Sequence, residues 1–197
     1  MAIEAIHFTY DTGAVSQKQF DEHITLYKGY IKKTNEISDL LLINAKRVDS
    51  NAIYSHYRAL KKEQTFALDG VILHEAYFKN MTDKKCRPGP NTMALLEQFY
   101  GGYDNWKSDF IACAKSARGW CLTAYDQRMR ALTTFLQDAH DQGPVTMAYP
   151  MIVLDMYEHA YFTDYGTDKE TYINRFIDSI NWHVVEAKAA KIMAACK

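Results

Sequence analysis

Two positions place polar groups where polar groups are costly. Asp155 closes the apolar run M-I-V-L-D at 151–155, and His74 sits inside I-L-H-E-A-Y-F at 72–78. A carboxylate or imidazole in such surroundings needs a hydrogen-bond partner, an opposite charge or a cation. His159 follows Asp155 by four residues, and His23 lies on a stripe with Phe20, Ile24, Tyr27, Ile31 and Thr34. Three imidazoles and one carboxylate satisfy one another around a first-row transition ion. The competing reading is a buried Asp155–His159 hydrogen bond with two unrelated core histidines. A lone histidine is more often a satisfied core or surface residue than a ligand, and His7, His56, His140 and His183 have no such company. The cysteines, Cys86, Cys113, Cys121 and Cys196, form no C-x-x-C pair. Zinc-knuckle and thioredoxin-type chemistry are therefore not expected. Cys113 and Cys121 read as small core residues, and Cys196 as an inert tail thiol.

The elements that must position these groups follow from periodicity. The stripe through His23 predicts a helix over 16–46 with Ser16 as its N-cap. A second helix is expected over 50–80, anchored by Leu60, Phe66, Leu68, Val71, Ile72, Ala76 and Phe78. D-K-K-C-R-P-G-P at 83–90 is the one stretch dense in Pro, Gly and charge, and marks a boundary between residues 1–88 and 89–197. Helices over 91–100 and 103–117 follow, closed by Gly101-Gly102 and by Gly119. Then W-C-L-T-A-Y-D (120–126), A-L-T-T-F-L-Q (131–137) and M-I-V-L-D-M-Y (151–157) read as three strands, the first two antiparallel. From 158 onward the chain is helical again, broken at 166–170. The order is α+β, with strands confined to the second half.

Composition excludes several other functions. The 197 residues carry 23 Lys+Arg against 24 Asp+Glu, a net charge of -1, which argues against a nucleic-acid partner. No apolar run is long enough for a membrane span, and M-A-I-E-A-I-H does not open like a secretory signal. Unpaired thiols then point to the cytoplasm. The unusual count is 14 Tyr beside 9 Phe and 3 Trp.

D-M-Y-E-H-A-Y at 155–161 resembles the D-x-W-E-H-A-Y signature of the iron/manganese superoxide dismutase family. Tyr165, Tyr172, Phe176 and N-W at 181–182 resemble its continuation. Y-G-G-Y-D-N-W-K-S-D-F (100–110), R-G-W-C-L (118–122), L-H-E-A-Y-F-K-N-M (73–81) and V-S-Q-K-Q-F-D-E-H (15–23) resemble further family segments, in order, over nearly the whole chain. The resemblance implies a helical hairpin followed by an α/β domain with a three-stranded antiparallel sheet. It implies one iron or manganese ion per subunit, iron slightly favoured, held by His23, His74, Asp155 and His159. It also implies disproportionation of superoxide to dioxygen and hydrogen peroxide. Family members carry a polar side chain that orients the metal-bound solvent, and at that position this chain has His140, while Gly70 stands at the alternative helix position. Tyr30 resembles the family's gateway tyrosine. Glu158 and Tyr161 resemble its two-fold contact, which implies a homodimer, or a tetramer built from it.

The chain also departs from the pattern. H-I-T-L-Y-K-G-Y is one residue shorter than the family's first-helix motif between His23 and Tyr30. An ungapped match from the Tyr30 side places Glu22 at the ligand position, and the gapless upstream match favours His23. Tyr27 stands where a second histidine is usual, Tyr157 and Leu122 replace tryptophans, and Tyr77-Phe78 replaces a pair ending in Trp. Trp120 is retained. These changes to the aromatic wall motivate a second reading, a divergent metal-dependent oxidase or oxygenase on the same scaffold. A third reading, a scaffold without enzymatic activity, fits poorly with four retained ligand candidates.

Overall fold

Ser16 starts the first helix, its side chain accepting from the Gln19 N–H and satisfying one of the donors that a helix start leaves open. This helix, α1, runs Gln17–Leu42 and buries Gln19, Phe20, His23, Tyr27, Ile31, Thr34 and Ile37. The computed structural model describes residues 2–43, 47–48, 50–143 and 145–195. Residues 44–46, the expected end of α1, and Cys196 lie outside them. The second helix, α2, is His56–Lys79 and packs along α1. It begins later than the periodicity suggests. Asn51 and Ser55 turn their side-chain oxygens onto the N–H groups of Ile53 and Arg58, which holds the segment before His56 out of the helix. Two of its expected core anchors face solvent, Leu68 at 38% and Ile72 at 49% exposure. One face of α2 is already filled by Ala67, Val71, Leu73, His74 and Phe78, and one stripe cannot bury every apolar residue of the helix.

After residues 82–89, which form no helix or ladder, come α3, Pro90–Tyr100, and α4, Tyr103–Ser116. Gly101 ends α3 in the left-handed region at φ 71. α4 ends on Ala117 in extended backbone, so Gly119 is not its cap. Gly119 instead permits a close crossing: a Cβ there would meet the Gln137 carbonyl oxygen at 2.9 Å.

The sheet is β1 (Trp120–Asp126), β2 (Ala131–Gln137) and β3 (Ala148–Asp155), in the order β2-β1-β3 and antiparallel throughout. The third strand ends at Asp155 rather than running to 157. The Met156 N–H turns to the Gly119 carbonyl, and the Tyr157 N–H to Asp155 Oδ1. The register pairs Trp120 with both Gln137 and Asp155. One end of the sheet thus gathers Trp120, Asp155 and the chain leading to His140. β3 is an edge strand, and its free backbone groups are covered. Asn80, the C-cap of α2, donates to the Met151 carbonyl and accepts from Val153 N, while Lys188 Nζ donates to the carbonyls of Pro150 and Met151. Asn80 thereby ties the helical hairpin to the strand that carries Asp155.

Beyond β3 lie a three-residue 3-10 turn, Glu158–Ala160, and the helices α5 (Phe162–Tyr165), α6 (Lys169–Asp178) and α7 (Trp182–Ala195). α3 lacks a side-chain cap of its own. Glu186 of α7 supplies one, accepting from the N–H groups and side chains of Asn91 and Thr92. Among the described residues no helix is long and apolar enough to cross a membrane.

Candidate metal centre

Four elements deliver one ligand candidate each: α1 brings His23, α2 His74, the end of β3 Asp155, and the 3-10 turn His159. Their ligand atoms all lie within 4.8 Å of one another. Around Asp155 Oδ2 stand the Nε2 atoms of His23 at 3.2 Å, His159 at 3.3 Å and His74 at 3.6 Å. Three of the side chains are buried, at 2% exposure or less, and that of His159 is 32% exposed. Glu22, the alternative to His23, is exposed and lines an outer cleft.

Hydrogen-bond accounting tests whether an ion fits. His74 Nδ1 lies 2.6 Å from the Gly70 carbonyl oxygen. A carbonyl only accepts, so Nδ1 carries the proton and Nε2 presents its lone pair. Burial holds His74 down at about 3, so this neutral form prevails near neutral pH. His74 Nε2 therefore faces a carboxylate oxygen lone pair to lone pair, with no hydrogen-bond partner, and His23 Nε2 is likewise buried and unpartnered. His23 is also shifted down by burial. For Asp155, burial pushes the pKa up, but the adjacent His159 and His23 rings outweigh it and hold the carboxyl well below the usual range. Convergent lone pairs around an ionised carboxylate are what a cation with N and O ligands requires. The set fits one ion.

Beside these groups runs a chain of hydrogen bonds whose directions are fixed. Trp120 Nε1 lies 2.9 Å from His140 Nδ1, and His140 Nε2 lies 2.7 Å from the Tyr30 hydroxyl. The indole only donates, so His140 Nδ1 accepts and Nε2 carries the proton, which it donates to Tyr30 Oη. The hydroxyl proton of Tyr30 is thus left free for another acceptor. Burial lowers His140 to about 4 and raises Tyr30 to about 12, keeping both neutral. His140 is 1% exposed, although it lies in the short turn spanned by the isolated bridge of Ala139 with Gln142. Gly70 makes the arrangement possible, because a Cβ there would meet the Tyr30 ring at 2.9 Å.

The other sequence-predicted residues divide. Tyr157 stacks on His159 at 5.2 Å and stands 5.2 Å from the His140 ring. Trp120 meets the His74 ring edge-on at 5.1 Å. Tyr77 lies 5.2 Å from the His23 ring, and its hydroxyl is 3.1 Å from that of Tyr172, which donates to the Asp155 carbonyl. Tyr27 is buried, but its hydroxyl turns away from the four ligands, donating to Glu75 and accepting from Ile6 N. Tyr161 is buried and stacks on Tyr172. Glu158 is exposed and, with Glu22 and Phe162, lines a cleft of about 370 Å³ beside His23 and His159.

A helical hairpin clasped to a three-stranded antiparallel α/β domain, with one aspartate and three histidines drawn from both, defines a single-ion metalloprotein. Residues 88–188 match the C-terminal domain of iron/manganese superoxide dismutases. A superoxide dismutase [Fe] of Aquifex pyrophilus is 38% identical over 185 residues, covering 92% of this chain and 87% of that protein. Another superoxide dismutase [Fe], from Aquifex aeolicus, is equally similar, and a superoxide dismutase [Mn] 1 of Halobacterium salinarum is 28% identical over 161 residues, 81% of this chain and 78% of its own. The chain belongs to the iron/manganese superoxide dismutase family.

Proposed function

We propose that this protein disproportionates superoxide to dioxygen and hydrogen peroxide, with His23, His74, Asp155 and His159 holding one iron or manganese ion. The observation that carries the reading is the His74 Nε2 lone pair, buried against an ionised carboxylate with no proton between them. When bound, the ion supplies a one-electron couple that accepts an electron from one superoxide and returns it to the next. Iron is favoured over manganese because the two relatives at 38% identity carry iron in their names.

The chain's own residues manage protons and access. Asp155 supplies the negative charge that imidazole ligands do not. Peroxide formation consumes two protons, and Tyr30, accepting from His140 Nε2 and free to donate through its own hydroxyl, is the proton donor at the site. His140 and Trp120 fix the direction of that donation. Tyr157 and Tyr77 wall the site.

We also infer a homodimer whose contact includes Glu158 and Tyr161, supported by the exposed Glu158 and Phe162 beside the most accessible ligand, His159. Domains at 1–88 and 89–197, an antioxidant role and a cytoplasmic location accompany the same reading. A dismutase assay on metal-loaded protein tests it. Activity proportional to metal content is expected. Metal-loaded protein without dismutase activity would point instead to the oxidase or oxygenase alternative.

A further inference from the structure

His159 is the ligand candidate with the least support from its own element. His23 and His74 sit on helices of 26 and 24 residues, and Asp155 ends a strand paired along its length. His159 sits on a 3-10 turn of three residues, followed by a four-residue helix. Something else must fix that turn. Gln19 lies one helical turn before His23 on the same face of α1 and is 1% exposed. Its Nε2 donates to the His159 carbonyl at 2.5 Å, and its Oε1 accepts from Thr163 N at 3.2 Å. A carboxamide is the side-chain end that can give one bond and take one bond here. The two backbone groups flank the point where the 3-10 turn becomes α5, so a single side chain on the His23 helix locks the segment that aims His159.

We propose that Gln19 is a positioning residue for the metal centre, setting the direction of His159 Nε2 through the His159 carbonyl. The inference rests on the ligand set proposed above. Two other tethers join α5 to the chain around the start of α1, Asp164 accepting from Ser16 N and Oγ, and Tyr165 donating to the Ala14 carbonyl. Neither touches the backbone of a ligand. They provide an internal control, because removing one loosens α5 without touching the His159 carbonyl.

The test compares metal-loaded wild type, Gln19→Leu, Gln19→Met and Asp164→Ala. The readouts are metal release to a chelator, the visible and paramagnetic-resonance spectra of the bound ion, and thermal unfolding. Partners behind metal ligands typically affect affinity roughly 10–100-fold. Both Gln19 variants are expected to release metal about 10-fold faster or more and to show altered spectra. Asp164→Ala is expected to lose thermal stability while staying within about 2-fold of wild type in release. Gln19→Met preserves the side-chain volume should Gln19→Leu fold poorly. Unchanged release and spectra in the Gln19 variants, alongside a metal-binding wild type, overturn the inference. A wild type that binds no iron or manganese overturns the ligand reading beneath it.

Discussion

Replacing Gly70 by alanine adds one methyl group at the point where α2 passes the Tyr30 ring. The new Cβ would lie 2.9 Å from Tyr30 Cδ1 and 3.1 Å from Cε1, against the 3.4 Å at which ordinary contact begins. The ring must move by about 0.5 Å. It has little room, because it already packs on His74 at 5.2 Å and on His140 at 4.8 Å between ring centres. A shift of that size lengthens the 2.7 Å Tyr30–His140 bond and misdirects the free hydroxyl proton. Misplacing a reacting group by about 1 Å costs roughly 100-fold, so half of that predicts about 10-fold in kcat. Stability changes less. Alanine gains about 1 kcal/mol in a helix interior, and overpacking costs about 1–3 kcal/mol, so a net loss of roughly 0–2 kcal/mol is expected. Stopped-flow dismutation per bound metal ion, with urea unfolding in parallel, measures both. A Gly70→Ala protein that keeps full activity and gains about 1 kcal/mol refutes the claim that Gly70 exists to admit the Tyr30 ring.

Tyr30→Phe keeps the ring and removes the proton donor; metal content should stay unchanged while dismutation falls by about 100-fold, the scale of one positioned proton transfer. Trp120→Phe leaves His140 Nδ1 buried without its donor, and urea unfolding should show a loss of about 1–3 kcal/mol. Glu186→Gln should destabilise by about 1–2 kcal/mol, because a carboxylate that takes four bonds at the start of α3 becomes an amide. The same variant carries a pH signature. Burial nudges the Glu186 carboxyl up, but donors from Thr92 and Asn91 outweigh it and hold the pKa below its usual value. Its stabilisation is complete above the unfolded-state value of about 4.3 and is lost as pH falls through the lower folded one. Acid titration of wild type should therefore be steeper below about pH 4 than that of Glu186→Gln.

The ligand set could be read from the sequence because each buried polar group contradicts its apolar neighbours. Asp155 after M-I-V-L and His74 within I-L-H-E-A-Y-F each call for a partner or a cation, helical spacing adds His23, and the family resemblance favours an ion over a bare Asp155–His159 hydrogen bond. Strands β1 and β2 were also legible, since turn residues bound both ends of each. β3 is legible as a strand but not in its end, which is decided by the crossing of Gly119 and by the Asp155 carboxylate accepting from Tyr157 N, contacts that no local pattern encodes. Leu68 and Ile72 misled in the opposite sense. Their spacing fits a core stripe, but the hairpin has only one partner face to offer. Gln19 and Glu186 left no signal at all, because a polar residue on a helix is ordinarily solvated. Their partners lie 140 and about 95 residues away in the chain. His140 was placed by resemblance. Its burial and its proton-bearing Nε2 follow only once Trp120 is seen to donate to Nδ1.

On the proposed function, His23, His74, Asp155 and His159 converge because an ion belongs among them. Elemental analysis of protein purified without chelators or added metal tests it most directly. Close to one iron or manganese ion per chain is expected in the wild type and almost none in Asp155→Ala prepared alongside. Folded wild-type protein free of both metals, or an Asp155→Ala protein that retains its full complement, would contradict it.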